Sequence, residues 1–201
     1  MLFRSPVFWA AGLDLPVAIT AETEGWDPVR DKGFFPAGVR ITFEFPAKGA
    51  RPPVKLVWFD GSCKVPRPPE LDAGSKGIGT GAVIRGDQGV IVHGSHGAGG
   101  VRIVPREKHE EFVAGGVGKK YPRVKGSHQQ DWLDAIRAGR PAGSDFDYGG
   151  SLTEIALLGI IAMQYPGKRL EWDAKAVKFT NHDAANSLVS PKWRPGWLAA
   201  G

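Results

Sequence analysis

The chain has 201 residues, a formal charge of +5 and 42% apolar residues, with seven tryptophans and ten phenylalanines. That composition excludes wholesale disorder and fits one large domain. The 28 glycines and 16 prolines favour turns and strands over long helices, and no apolar run approaches the roughly 20 residues that span a bilayer.

The single cysteine, Cys63, excludes an internal disulfide framework and suits a reducing, cytoplasmic compartment. The opening MLFRSPVFWAAGL has only a brief apolar stretch before Asp14 and Pro16, which reads against a cleaved signal. Cations are scattered singly (Arg40, Lys55, Arg102, Lys168), and Lys119 with Lys120 comes nearest to a cluster. This spacing predicts a solvated surface and not a nucleic-acid interface.

In chain order, Val17, Ile19 and Ala21 suggest a first strand. In 38–45, Val39, Ile41, Phe43 and Phe45 alternate with Arg40, Thr42 and Glu44, the pattern of a half-buried strand. Val54, Leu56 and Trp58 give another, apolar on both faces near its end because of Val57 and Phe59. Segments 82–85 and 90–93 flank the sequence GDQG, whose glycines and aspartate offer the positive φ of a tight hairpin turn. Val101, Ile103 and Pro105 add a further strand, so about six precede residue 107. Their short connections predict antiparallel pairing.

The second half turns helical. Ser127 and Gln130 read as a capping box, Trp132, Leu133 and Ile136 as an apolar stripe, and Gly139 as the stop. Ser151 and Glu154 repeat the device before a helix over 154–164 that is apolar almost all round. Short strands at 170–172 and 177–180 follow, then a small helix capped by Asn181 and an irregular tail from 191. The sum is an α+β fold: a large, mostly antiparallel sheet with the helices at 128–138 and 154–164 on one face.

Candidate chemistry is sparse. The glycines of 77–81 resemble a phosphate loop, yet they follow a proline-rich loop and precede a strand, whereas a dinucleotide turn needs a strand before it and a helix after it. His93, His96 and His109 lack the further ligands of a zinc site, since Cys63 is remote. No G-x-S-x-G elbow is present. Trp9, Trp26, Trp58, Trp132, Trp172, Trp193 and Trp197 could serve a sugar-stacking platform, but most fall at periodic core positions. His128 opens its helix with Asp131 one turn on, on a neighbouring face.

Several segments together carry a resemblance. PPVKLVWFDG, the GDQG hairpin followed by Val104, Pro105, Arg106 and Glu107, SHQQDWLDAIRAGRPAGSDFDYGGSLTEIALLG, and LEWDAKAVKFTNHDAAN occur in this order. They resemble the C-terminal domain of the bacterial branch of the glucose–fructose oxidoreductase/inositol dehydrogenase (Gfo/Idh/MocA) family, from Pro6 to Trp197. The resemblance implies a substrate and oligomerisation domain over 6–201, with 1–5 a non-native start. In the full-length family protein an N-terminal Rossmann domain binds NAD or NADP. Neither that domain's glycine turn nor the family's Glu-Lys-Pro and histidine segments has a counterpart here. No catalytic or cofactor-binding residue is therefore carried over, and no metal is implied. The expectation is a fragment of an NAD(P)-dependent oxidoreductase acting on sugar- or polyol-like substrates, inactive alone. Its pocket wall would be His128, Asp131, Trp132, Asp147 and Tyr148, and it would form a homo-oligomer through an open sheet face. A β-rich carbohydrate-binding module using exposed tryptophans is the alternative.

Overall fold

The computed structural model describes residues 4–94, 97–116, 118 and 126–190; His96, Lys119, Lys120, Trp193, Trp197 and the tail from 191 lie outside them. The elements are α1 (Arg4–Ala10), β1 (Ala18–Glu24), β2 (Gly38–Phe45), β3 (Val54–Gly61), β4 (Gly81–Arg85), β5 (Val90–Gly94), β6 (Arg102–Val104), α2 (Arg106–Ala114), α3 (His128–Ala138), α4 (Phe146–Met163), β7 (Arg169–Asp173), β8 (Lys178–Phe179) and α5 (Asp183–Asn186). The fold is α+β, and all its strand pairs are antiparallel. The six strands expected before residue 107 are β1–β6, but they are divided between two sheets. The chain forms two compact units, one from Asp14–Lys64 with the residues from Glu154 onward, the other from Val65–Thr153 with the residues before Asp14.

The first unit is built on a five-stranded sheet in the order β3-β2-β1-β7-β8. Register explains its two faces. Ile19 lies opposite Phe43 and Leu170, Ala21 opposite Ile41, and Ile41 opposite Trp58, and facing residues in an antiparallel ladder share a side. On that side Ile19, Ile41, Phe43, Phe45, Leu170 and Trp172 are buried, as are Ile155, Leu158 and Ala162 of α4. The helix and the sheet come close at Gly159. A Cβ there would sit 3.1 Å from Phe43 Cζ and 3.2 Å from Ile41 Cδ1, so the helix rests on the sheet where it has no side chain. The Trp172 indole N–H donates to Glu154 Oε1 at 2.8 Å, tying β7 to the same helix.

Two expectations for α4 change. It begins at Phe146, eight residues earlier than the sequence suggests. Asp145 is the residue that caps it, its Oδ1 accepting from the Tyr148 N–H at 2.9 Å. Ser151 and Thr153 lie inside the helix, their hydroxyls donating to the Asp147 and Gly149 carbonyls at 2.9 Å each; Ser151 is therefore no cap. Gly149 and Gly150 lie within the helix, where each costs about 1 kcal/mol relative to alanine. The extension also makes α4 long and apolar enough, by length and composition, to cross a membrane. Ile155, Leu158, Ile161 and Ala162 are buried on its sheet side, while Leu157 and Ile160 on its far side are exposed. Asn181 does not cap α5 either. Its amide bridges β7, accepting from the Glu171 N–H and donating to the Arg169 carbonyl, both at 2.9 Å, while His182 caps α5.

The second unit holds the sheet β4-β5-β6. Leu71, Val90, Val92 and Val104 form its core, with Ile78 and Val83 packed against them. The hairpin β4–β5 forms as expected, but none of the turn residues 86–89 has a positive φ. A four-residue turn closed by the Gly86 N–H on the Gly89 carbonyl at 2.9 Å has no need of the mirror-image geometry. Helix α2 has no buried residue and no apolar period, so periodicity gives no sign of it; Pro105 just before it and Glu107 in its first turn are its sequence marks. Helix α1 ends in a Schellman motif, in which Leu13 N–H meets the Phe8 carbonyl at 3.0 Å and Gly12 has φ 56°. Of the two helices expected on the large sheet, α4 packs there from Glu154, and α3 belongs to this second unit.

Candidate functional site

All five residues singled out from the sequence lie in the second unit, in the amino-terminal turns of α3 and α4. Ser127 caps α3, its hydroxyl accepting from the Gln130 N–H at 3.2 Å. The reciprocal half of the box is missing, because the Gln130 amide donates forward to Asp134 Oδ1 at 2.8 Å. At the other end Gly139 has φ 62° and the Arg140 N–H reaches the Ala135 carbonyl at 3.1 Å, a second Schellman stop.

The apolar stripe of α3 does not face inward. Trp132 is 59% exposed, Leu133 41% and Ile136 62%, and Ala135 is the buried residue of the helix. A small side chain makes the close contact, and the large ones turn outward. His128 is exposed one turn before Trp132, so an imidazole and an indole stand at i and i+4 on one side of the helix.

Asp131 is fully engaged. Its Oδ1 accepts from Arg140 Nη2 and its Oδ2 from the Gly143 N–H, both at 2.9 Å. The Gly143 N–H, and after it the Arg140 guanidinium, hold its carboxyl below the usual carboxylate range. Asp131 thus clamps the loop that leads from α3 to the Asp145 cap of α4. In the first turn of α4, Asp147 is exposed and Tyr148 half-buried, its ring edge-on to Phe8 at 5.7 Å. The neighbouring Phe146 is 96% exposed. Sequence reasoning passed over Arg140, Gly143, Asp145 and Phe8, which set these two turns in place. Of the four, Asp145 carried a usable signal, an acidic residue at the mouth of a helix.

Chemically, the accessible groups are an imidazole and an indole one turn apart on α3 and, separately, a carboxylate on α4. Each can hydrogen-bond to or stack against a polyhydroxylated ligand. Among the described residues no group of three or more His, Cys, Asp or Glu is arranged to hold a metal ion. His93 is buried at 2% exposure; its Nδ1 lies 2.7 Å from the Gly94 carbonyl, while its Nε2 has no partner among the described residues. His109 Nδ1 accepts from the Ile103 N–H at 3.4 Å. The glycines of 77–81 run into β4, so no helix N-terminus follows them.

The sheet of the first unit has an open face of a different kind. Arg40 pairs with Glu22, and Arg169 forks to Glu44 and Glu171 at 3.0 and 2.7 Å. Arg169 is the main reason that the Glu44 carboxyl stays below its ordinary range. Thr20, Thr42, Val57 and Phe59 share this face by register.

Comparison of the chain with protein-family models, with curated proteins and with solved structures gave no match in any of the three.

Proposed function

We propose that this chain is the substrate-pocket and oligomerisation part of an NAD(P)-dependent oxidoreductase acting on sugar- or polyol-like substrates, and that it is inactive alone. The observation that carries the reading is the five-stranded antiparallel sheet, covered by α4 on one face and open on the other. It agrees with the domain implied by the segments that resemble the Gfo/Idh/MocA family. In that reading His128, Trp132, Asp147 and Tyr148 line the pocket, and Asp131 acts through the loop it clamps. The cofactor supplies hydride transfer when a dinucleotide-binding domain is present; this chain's part is to hold and orient a polyol.

Two measurements test it. Calorimetry of the 201-residue chain with NAD(H) or NADP(H) should give no saturable heat, and micromolar binding would overturn the reading. With the chain fused to the dinucleotide-binding domain of a family member, His128→Ala should lower kcat/KM for the sugar about tenfold and leave cofactor affinity unchanged. A second reading, a carbohydrate-binding module, draws on the exposed Trp9 and Trp132. It requires retention of the unfused chain on an immobilised oligosaccharide, abolished by Trp132→Ala.

A further inference from the structure

We propose that Asp60–Gly61, at the end of β3, is a self-modification site: the folded chain closes a succinimide there and reopens it as an isoaspartyl linkage that parts the strand end from β2. This is the one Asp-Gly step in the sequence, and no Asn-Gly step occurs. Both residues are exposed. The reaction needs the nitrogen of the following residue beside the carboxyl carbon, and a residue without a Cβ admits that approach most readily.

The register supplies it. The Ser62 N–H donates to the Ala37 carbonyl at 2.9 Å. Bonded and non-bonded pairs alternate along an antiparallel ladder. The next pair, Gly61 opposite Gly38, is therefore a non-bonded one, and the Gly61 N–H turns away from β2. It donates to the Asp60 carboxylate, with Oδ1 at 2.8 Å. The reacting nitrogen is thus held against the reacting carboxyl by a bond within the dipeptide, and no bond to β2 has to break before the ring closes.

In the step itself the Gly61 nitrogen bonds to Cγ of the protonated Asp60 carboxyl, and the amide proton leaves with the carboxyl hydroxyl as water. Water adding back at Cγ breaks the new bond and restores aspartate. Water adding at the Asp60 main-chain carbonyl breaks the old peptide bond instead. The main chain then runs through Cβ and Cγ, one atom longer, with a free α-carboxylate beside it. The ladder has no room for that atom. A Cβ added at Gly61 would stand 1.9 Å from the Ala37 carbonyl oxygen, and one at Gly38 would stand 2.2 Å from Ser62 Oγ.

The chain kept at neutral pH in heavy-oxygen water should gain labelled isoaspartate in its tryptic peptide 56–64 before any other. Mass spectrometry reads the label, and an isoaspartyl methyltransferase with S-adenosylmethionine, used as a probe, reads the free α-carboxylate. Asp60→Glu keeps the charge but would need a larger ring, and it should abolish both signals. The Ser62 amide proton should exchange faster in the product than in the unmodified chain. Conversion in the folded chain roughly tenfold or more slower than in the free peptide 56–64 overturns the proposal. Isoaspartate that accumulates first at another residue also overturns it, as does a product whose Ser62 amide exchanges no faster.

Discussion

Replacing Gly159 by alanine tests how tightly α4 seats on its sheet. By helix propensity the change stabilises by about 1 kcal/mol, because glycine in a helix interior loses more backbone freedom than alanine. Against this, the new methyl would stand 3.1 Å from Phe43 Cζ and 3.2 Å from Ile41 Cδ1. Both rows of atoms are fixed: Phe43 is fully buried and Ile41 nearly so. Overpacking of this kind costs about 1–3 kcal/mol. The steric term wins, and Gly159→Ala should destabilise by about 1 kcal/mol, or roughly 2–4 °C in Tm for a chain of this size. The second arm is Phe43→Leu, which removes the ring atom nearest the new methyl. In that background Gly159→Ala should become neutral or stabilising, a coupling of about 1–2 kcal/mol between touching residues. Urea unfolding followed by circular dichroism, with the four proteins compared at constant m-value, measures it. If Gly159→Ala raises stability in the otherwise unchanged chain, the close seating of α4 is wrong.

Asp131→Asn should lower Tm at pH 7, since the neutral amide loses the ionic part of the bonds to Gly143 and Arg140. The folded pKa of Asp131 lies below its ordinary value, so its contribution is present above about pH 4 and fades as pH falls through the folded value. Melting curves of the two proteins should therefore converge on acidification, and a gap that widens toward low pH would refute the clamp. Trp172→Phe keeps the packing in the sheet but leaves Glu154 Oε1 without its donor, at a cost of about 1–2 kcal/mol; equal stability by chemical denaturation would show that the bond contributes nothing.

The parts of the fold that were legible in the sequence are those where one local rule acts alone. The alternation from Val39 to Phe45 marked β2 because one side of it faces a core and the other solvent. Ser127 and Gly139 marked the ends of α3 because a cap and a left-handed stop are local chemistry. Rules that depend on distant partners misled. The large apolar residues of α3 resemble a buried stripe, but packing selected Ala135. Ser151 resembles a cap, but Asp145 had already begun the helix. The division of the strands into two sheets has no local signature at all, since register within a hairpin does not say which hairpins join. The candidate site suffers most from this. Asp131 and Tyr148 could be singled out, but their supports, Arg140 and Gly143 for the first and Phe8 for the second, act through contacts that spacing does not encode.

The pairing of β1 with β7 has a consequence for biosynthesis. β1 emerges near the start of the chain, yet one of its two neighbours, β7, lies near the other end of the sequence. Until then the β1–β2–β3 meander can form from local hairpins, but β1 keeps a bare flank, and before α4 is complete at Met163 the apolar side shared by Ile19 and Phe43 is uncovered as well. Such long-range closure is slow, and the unfinished sheet invites sticking to its neighbours. A nascent chain stalled before Arg169 would therefore be the aggregation-prone species, and holdase chaperones should engage it in preference to the finished protein.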